Sequence, residues 1–313
     1  MTTTDFLNPL ISTKLICLDQ YFNEMIKLYD CKKFPKVLLL NGKKGIGKFT
    51  LVMHFLNYIY TRNDKKPYCI DEKKINTESI FYNQLLNQIN QNVLLIKAEE
   101  NKNIKIEDIR KLKAILSRSS LSDNPRFVVI DEVEFMNVNS ANALLKSLEE
   151  PSSNNFFILI NNCQADLLKT ISSRCLKNNI FLNSQDTNTI IDYLSENNNI
   201  KNLIDINSNL TPGLFVQFNE IYLKFNIEKN DSIQTKISKL LNSYKKNKNK
   251  ILISLTLFLI DQYFYKLIQA DRMNIDFLLK IKSDINANIN NFIYYNLNIN
   301  SVLNSIKMKL NNA

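Results

Sequence analysis

Residues 36–60 read KVLLLNGKKGIGKFTLVMHFLNYIY, and this stretch decides the fold. The apolar run 36–40 predicts a buried strand, and 48–60 carries a helical pattern. Between them lie Gly42, Gly45 and Gly47, three of only four glycines in the 313 residues. Glycines in such a turn let successive backbone N–H groups converge on phosphate oxygens, and the following helix N-terminus adds a favourable dipole. Lys48 is placed to reach the outer phosphates of a nucleotide. The pattern is that of a phosphate-binding loop, with one departure. The hydroxyl residue that would ligate magnesium should follow the lysine directly, and Phe49 stands there. Thr50 comes one place late, a rotation of about 100° around a helix. Phenylalanine offers no oxygen to a metal, which argues against a competent magnesium site and leaves phosphate binding open.

Outward from the loop, strand signals recur at 93–98 (VLLIKA), 126–130 (RFVVI), 156–160 (FFILI) and 179–182 (NIFL). Helical patterns separate them at 106–119 and 140–150. Near-continuous apolar strands alternating with helices predict an α/β domain, a parallel sheet covered on both faces. The strand at 126–130 ends in Asp131 and Glu132. Carboxylates at that point suit holding a metal and orienting an attacking water. After Leu182 the strand signals stop. A helix over 183–197 is expected, capped by Ser184 or Asp186 with Ile190, Ile191 and Leu194 inward. From about Phe218 onward the spacing is helical, for example at 251–268 and 275–281, with Asn/Lys-rich connectors such as 244–250. Three domains are expected: 1–182, a small helical lid at 183–217, and an all-helical region at 218–313.

The net charge is +10, carried by 34 Lys and only 6 Arg in a chain crowded with Asn, Ile and Tyr. That is mild support for work near nucleic acid, because lysine-rich stretches also serve as solvated linkers. Cys17, Cys31, Cys69, Cys163 and Cys175 show no CxxC spacing, so neither a disulfide framework nor zinc is expected. The N-terminal residues lack a signal-peptide pattern. The longest apolar run, 251–260, is too short to span a bilayer. A cytoplasmic protein is expected. His54, the lone histidine, receives no role.

Two further stretches carry a resemblance. Residues 140–151, SANALLKSLEEP, closely resemble a helix of bacterial clamp-loader subunits of the AAA+ type, and 167–175, LLKTISSRC, are similar to that family's segment ending in Ser-Arg-Cys. Together with the loop and the acidic strand end, the resemblance covers 35–182. Thr211-Pro212-Gly213-Leu214 is similar to an element of the family's second domain. Within the family the chain is more similar to the delta-prime type than to the ATP-hydrolysing gamma/tau type.

The resemblance implies a role for each matching residue. Gly42, Gly45, Gly47, Lys48 and Thr50 correspond to the nucleotide loop, Asp131 and Glu132 to the acidic strand end, and Asn161 to a polar sensor. Ser173, Arg174 and Cys175 correspond to a segment facing a neighbouring subunit, with Arg174 donated in trans as an arginine finger. It further implies ATP and magnesium as ligands, although Phe49 and the absence of arginine at Leu214, Phe215, Val216 and Gln217 speak against turnover. The implied partners are delta-type and gamma/tau-type subunits, with a sliding clamp and primed DNA reached through the complex. The implied role is structural; the competing reading is an ATP-hydrolysing subunit.

Overall fold

The computed structural model describes residues 9–98, 103–117, 124–198, 200, 203–204, 209–270 and 274–311. The end of the helix expected at 106–119 and much of the Asn-rich tract 200–209 lie outside the described residues. By packing, the chain divides into two compact units, 1–200 with 209–216, and 201–208 with 217–313. The boundary expected at 217/218 falls inside one helix, α8.

The first unit contains five parallel strands: β1 (Val37–Asn41), β2 (Val93–Lys97), β3 (Arg126–Asp131), β4 (Asn155–Asn161) and β5 (Leu176–Asn179). They lie in the order β2-β3-β4-β1-β5. Around them run α1 (Asp19–Asp30), α2 (Lys48–Tyr60), α3 (Ile80–Leu86), α4 (Ile106–Leu116), α5 (Val138–Glu149), the single turn α6 (Lys169–Ser172) and α7 (Ser184–Asn198). Strand side chains alternate between the faces. Leu38, Leu40, Phe127, Val129, Ile158 and Ile160 join the cluster of Phe22, Leu51, Phe55 and Phe81 from α1 to α3. Val37, Leu39, Val128, Ile130, Phe157 and Leu159 join Ile109, Leu112, Ala141 and Leu144 from α4 and α5. Both faces are thereby covered, as the unbroken apolar strands required.

Two expectations need correction here. The fifth strand sits at 176–179 rather than 179–182, with Leu38 opposite Leu176 and Asn41 opposite Asn179. β5 is an edge strand and its residues are largely exposed, so it needs no apolar run. Only Ile180 of the NIFL stretch is buried, while Phe181 is exposed. The cap of α7 is Asn183, whose side-chain oxygen accepts from Asp186 N–H at 2.7 Å. Ser184 and Asp186 belong to its first turn.

Helix α8 (Pro212–Lys224) leads into the second unit, which contains α9 (Ile233–Asn247), α10 (Lys250–Ala270), α11 (Ile275–Tyr295) and α12 (Ile299–Asn311). Helix α9 packs on α10 and α12, and α11 packs on the same two, closing a four-helix arrangement. Residues 244–247 are the last turn of α9 with Tyr244 buried, so the expected linker shrinks to the joint at Lys248, which takes a left-handed φ of 54°. Helix α10 runs past Asp261 to 21 residues and is long and apolar enough to cross a bilayer by length and composition alone. Its residues Leu252, Leu255, Leu259, Ile260 and Phe264 are buried in this unit, the placement of a core helix.

Candidate functional site

The loop 42–47 joins β1 to α2. Gly45 and Gly47 have φ of +85° and +92°, a region that costs any L-residue with a Cβ. Gly47 occupies the N-cap position of α2. No described group accepts from the amides of Ile46, Gly47 and Lys48. These unpaired donors at a helix N-terminus fit a phosphate. Lys48 is 3% exposed, and its Nζ donates to the carbonyls of Gly42 at 2.7 Å and Lys43 at 2.8 Å. Burial lowers its pKa to about 8, against the opposing pull of Asp131.

The acidic end of β3 lies beside this loop, and its carboxylates are already engaged. Glu132, with a left-handed φ of 57°, receives Lys44 Nζ at 2.8 Å. Asp131 accepts from Glu132 N–H at 2.9 Å and stands 3.8 Å from Lys97 Nζ. Desolvation nevertheless raises its pKa, with Lys97 opposing. Glu134, which the sequence did not single out, is buried as well, and its carboxylate accepts from Asn162 N–H at 3.0 Å. Asn161 donates to Asn41 Oδ1 at 2.7 Å and accepts from Cys163 N–H at 3.0 Å, while Asn41 donates to Asn179 at 2.9 Å. A ladder of carboxamides thus ties the ends of β4, β1 and β5.

The amide donors of this loop fit a phosphate, while the side chain after Lys48 brings no oxygen that a magnesium ion could use. Phe49 packs its ring against the core cluster of α1 and α2, Thr50 is half-buried one residue on, and Glu132 is committed to Lys44. The segment 211–214 closes on the loop from outside. Thr211 Oγ1 donates to Lys44 O at 2.6 Å and Gly213 N–H to Gly45 O at 2.9 Å. Neither contact was legible beforehand.

The segment 173–175 is elsewhere. Strand β5 runs parallel to β1, with Leu38 opposite Leu176 and Asn41 opposite Asn179. Arg174 precedes β5, whereas the loop follows β1, so the two lie at opposite ends of these neighbouring strands. Arg174 therefore cannot serve its own loop. Cys175 is half-buried, its Sγ 3.1 Å from Ile171 O, and burial pushes the thiol up to about 11. It anchors the turn rather than reacting. Ser173 follows α6, its Oγ 3.3 Å from Thr170 O. The Arg174 side chain lies back on its own domain instead of projecting: Nε donates to Glu149 Oε1 at 2.7 Å, Nη2 contacts the same oxygen, and Nη1 donates to Thr170 O at 2.8 Å.

A family model described as "DNA polymerase III, delta subunit" matches residues 18–183, just over half of the chain. The chain belongs to that family. The matched span holds the sheet, the loop, the acidic strand end and Arg174. A DNA polymerase III subunit delta' of Pseudomonas aeruginosa is 32% identical over 140 residues, 44% of this chain and 41% of that protein. The delta' subunit of Bacillus subtilis is 25% identical over 252 residues, 79% of this chain and 70% of that protein. A gamma subunit of Buchnera aphidicola subsp. Acyrthosiphon pisum is 29% identical over 144 residues, 46% of this chain and 36% of that protein. The alignment with the Pseudomonas protein thus spans less than half of that relative's length.

Proposed function

We propose that this family member is a delta-prime-type subunit of an AAA+ clamp loader, a structural ring member that helps place a sliding clamp on primed DNA. One observation carries the reading. The loop retains its phosphate donors, while the position that should bring magnesium to them is a half-buried phenylalanine packed against the core. A site so built holds phosphate without the metal that neutralises charge in phosphoryl transfer. Gly42, Gly45, Gly47, Lys48 and Thr50 would line the nucleotide, with Asp131, Glu132 and Asn161 beside it. Ser173, Arg174 and Cys175 would face a neighbouring subunit, with Arg174 completing that neighbour's site. The partners would be delta-type and gamma/tau-type subunits in the cytoplasm. The second unit, with Tyr294, Tyr295 and Met308 exposed on its surface, would serve as the collar of the assembly.

A second reading, an ATP-hydrolysing subunit of the gamma/tau type, has the loop amides, Lys48 and the gamma-subunit relative in its favour. Steady-state turnover by the isolated chain separates the two. The structural reading expects no turnover above background with ATP and magnesium. A clear rate abolished by Lys48→Ala would establish the second reading instead.

A further inference from the structure

The contacts of Arg174 point to a regulatory partner within the same chain. We infer that Glu149 is a brake on Arg174, holding the guanidinium against its own domain until a phosphate on a neighbouring subunit competes for it. This rests on the proposed trans role of Arg174 and extends it.

A guanidinium binds phosphate best through two parallel N–H donors along one edge. In this structure the Nε–Nη2 edge is spent on one oxygen of Glu149. The third nitrogen, Nη1, is tethered to Thr170 O at 2.8 Å and lies 3.3 Å from Ser173 Oγ. Each of the three nitrogens therefore has a partner on α5, α6 or the residue that follows. Arg174 cannot offer its Nε–Nη2 edge to another molecule without leaving Glu149, although at least one N–H of Nη2 stays without a partner among the described residues.

The position of Glu149 suits a hold that can be released. It is the last residue of α5, where the helix dipole disfavours a carboxylate, so the cation offsets an unfavourable placement. The pair is also partly solvated, with side chains 32% and 46% exposed. An ion pair in that setting is weak and salt-sensitive. A nucleotide phosphate, carrying more charge and more acceptor oxygens than one carboxylate, can outcompete it. The hold sets a threshold and does not trap the arginine.

The test uses the full chain assembled with delta-type and gamma/tau-type subunits, assayed for ATP turnover with and without primed DNA. Four forms are compared: unmodified, Glu149→Gln, Arg174→Ala and the double variant. Glu149→Gln keeps the shape and one acceptor oxygen while removing the charge. Its DNA-independent turnover should rise about two- to fivefold, the range a partly exposed ion pair supports, with the apparent KM for ATP falling. Arg174→Ala should lower turnover, and the double variant should match Arg174→Ala, because the brake has nothing left to hold. A merely structural ion pair would alter the unfolding midpoint of Glu149→Gln and leave turnover alone. Unchanged or reduced turnover in Glu149→Gln, with Arg174→Ala still impaired, overturns the brake and spares the trans role. Unmodified turnover in an assembled Arg174→Ala complex overturns the trans role itself, and the brake with it.

Discussion

Acidification should destabilise the sheet unit through His54. Its ring is fully buried in α2, with Nδ1 2.9 Å from Tyr68 OH and Nε2 3.1 Å from Ser12 O. A carbonyl only accepts, so Nε2 carries the proton and Nδ1 accepts from the tyrosine; the neutral ring satisfies both contacts. Burial lowers the folded-state pKa to about 4 from the ordinary 6.5. Below pH 6.5 the unfolded chain takes up a proton that the folded chain refuses, so stability present above that pH is lost as pH falls toward 4. With these values the loss is about 2 kcal/mol at pH 5 and about 3 kcal/mol at pH 4. His54→Gln removes the titration and so removes this part of the slope. The assay is urea unfolding from pH 8 to pH 4.5, followed by tyrosine emission because the chain has no tryptophan. As His54 is the only histidine, its one imidazole resonance reports the folded pKa directly. The reasoning fails if that resonance titrates near 6.5, or if the stability gap between unmodified chain and variant is the same at pH 8 and pH 4.5.

Phe49→Thr should restore a hydroxyl beside Lys48, giving magnesium-dependent tightening of ATP binding by calorimetry, while costing about 1–3 kcal/mol of stability because a half-buried ring is lost from the core. Lys44→Met should lower the urea midpoint by the equivalent of about 1–3 kcal/mol, since Glu132 is left largely buried without its cation; adding Glu132→Gln should recover most of that. Gly213→Ala would bring a Cβ to 2.8 Å from Gly45 Cα, so faster amide exchange is expected in 211–216, with a stability loss of about 1–3 kcal/mol. Ending the chain after Lys224 should abolish co-purification with partner subunits while leaving the sheet unit folded by circular dichroism; retention in the complex would refute the collar assignment.

The α/β architecture was legible because its central strands are buried on both faces and therefore read as unbroken apolar runs. β5 was misplaced for the opposite reason, since an edge strand needs only one partner and tolerates polar side chains. Helices α1 and α3 are not among the elements the spacing predicts, although Phe22, Met25, Phe81 and Leu85 carry their packing. Asn-rich stretches such as 286–291 look like connectors by composition yet lie within α11, where Ile285, Ile289 and Phe292 supply a buried stripe. At the site, glycine scarcity and Phe49 were readable from local spacing. The Lys44–Glu132, Asn161–Asn41 and Arg174–Glu149 contacts were not, because they join residues 88, 120 and 25 positions apart in the chain. For Arg174 the partner is Glu149, the last residue of α5 and 25 positions earlier in the chain.

The persistence of the loop pattern beside a phenylalanine has a physical account that needs no turnover. Gly47 must take a left-handed φ to start α2. A Cβ on Gly42 would meet Ile180 O at 2.5 Å, and one on Gly45 would meet Thr211 Oγ1 at 2.6 Å. These demands come from the join of β1 to α2 and from the segment 211–214 lying on the loop, not from chemistry at a phosphate. Lys48, too, is held by two loop carbonyls as the structure stands. The side chain that only metal chemistry would require is the hydroxyl after the lysine, and packing gains more from a ring there. A loop of this kind keeps its glycines through packing alone, so the glycine pattern is no argument for hydrolysis; the residue after Lys48 and the engagement of Glu132 are where the proposed structural role and an ATP-hydrolysing one part.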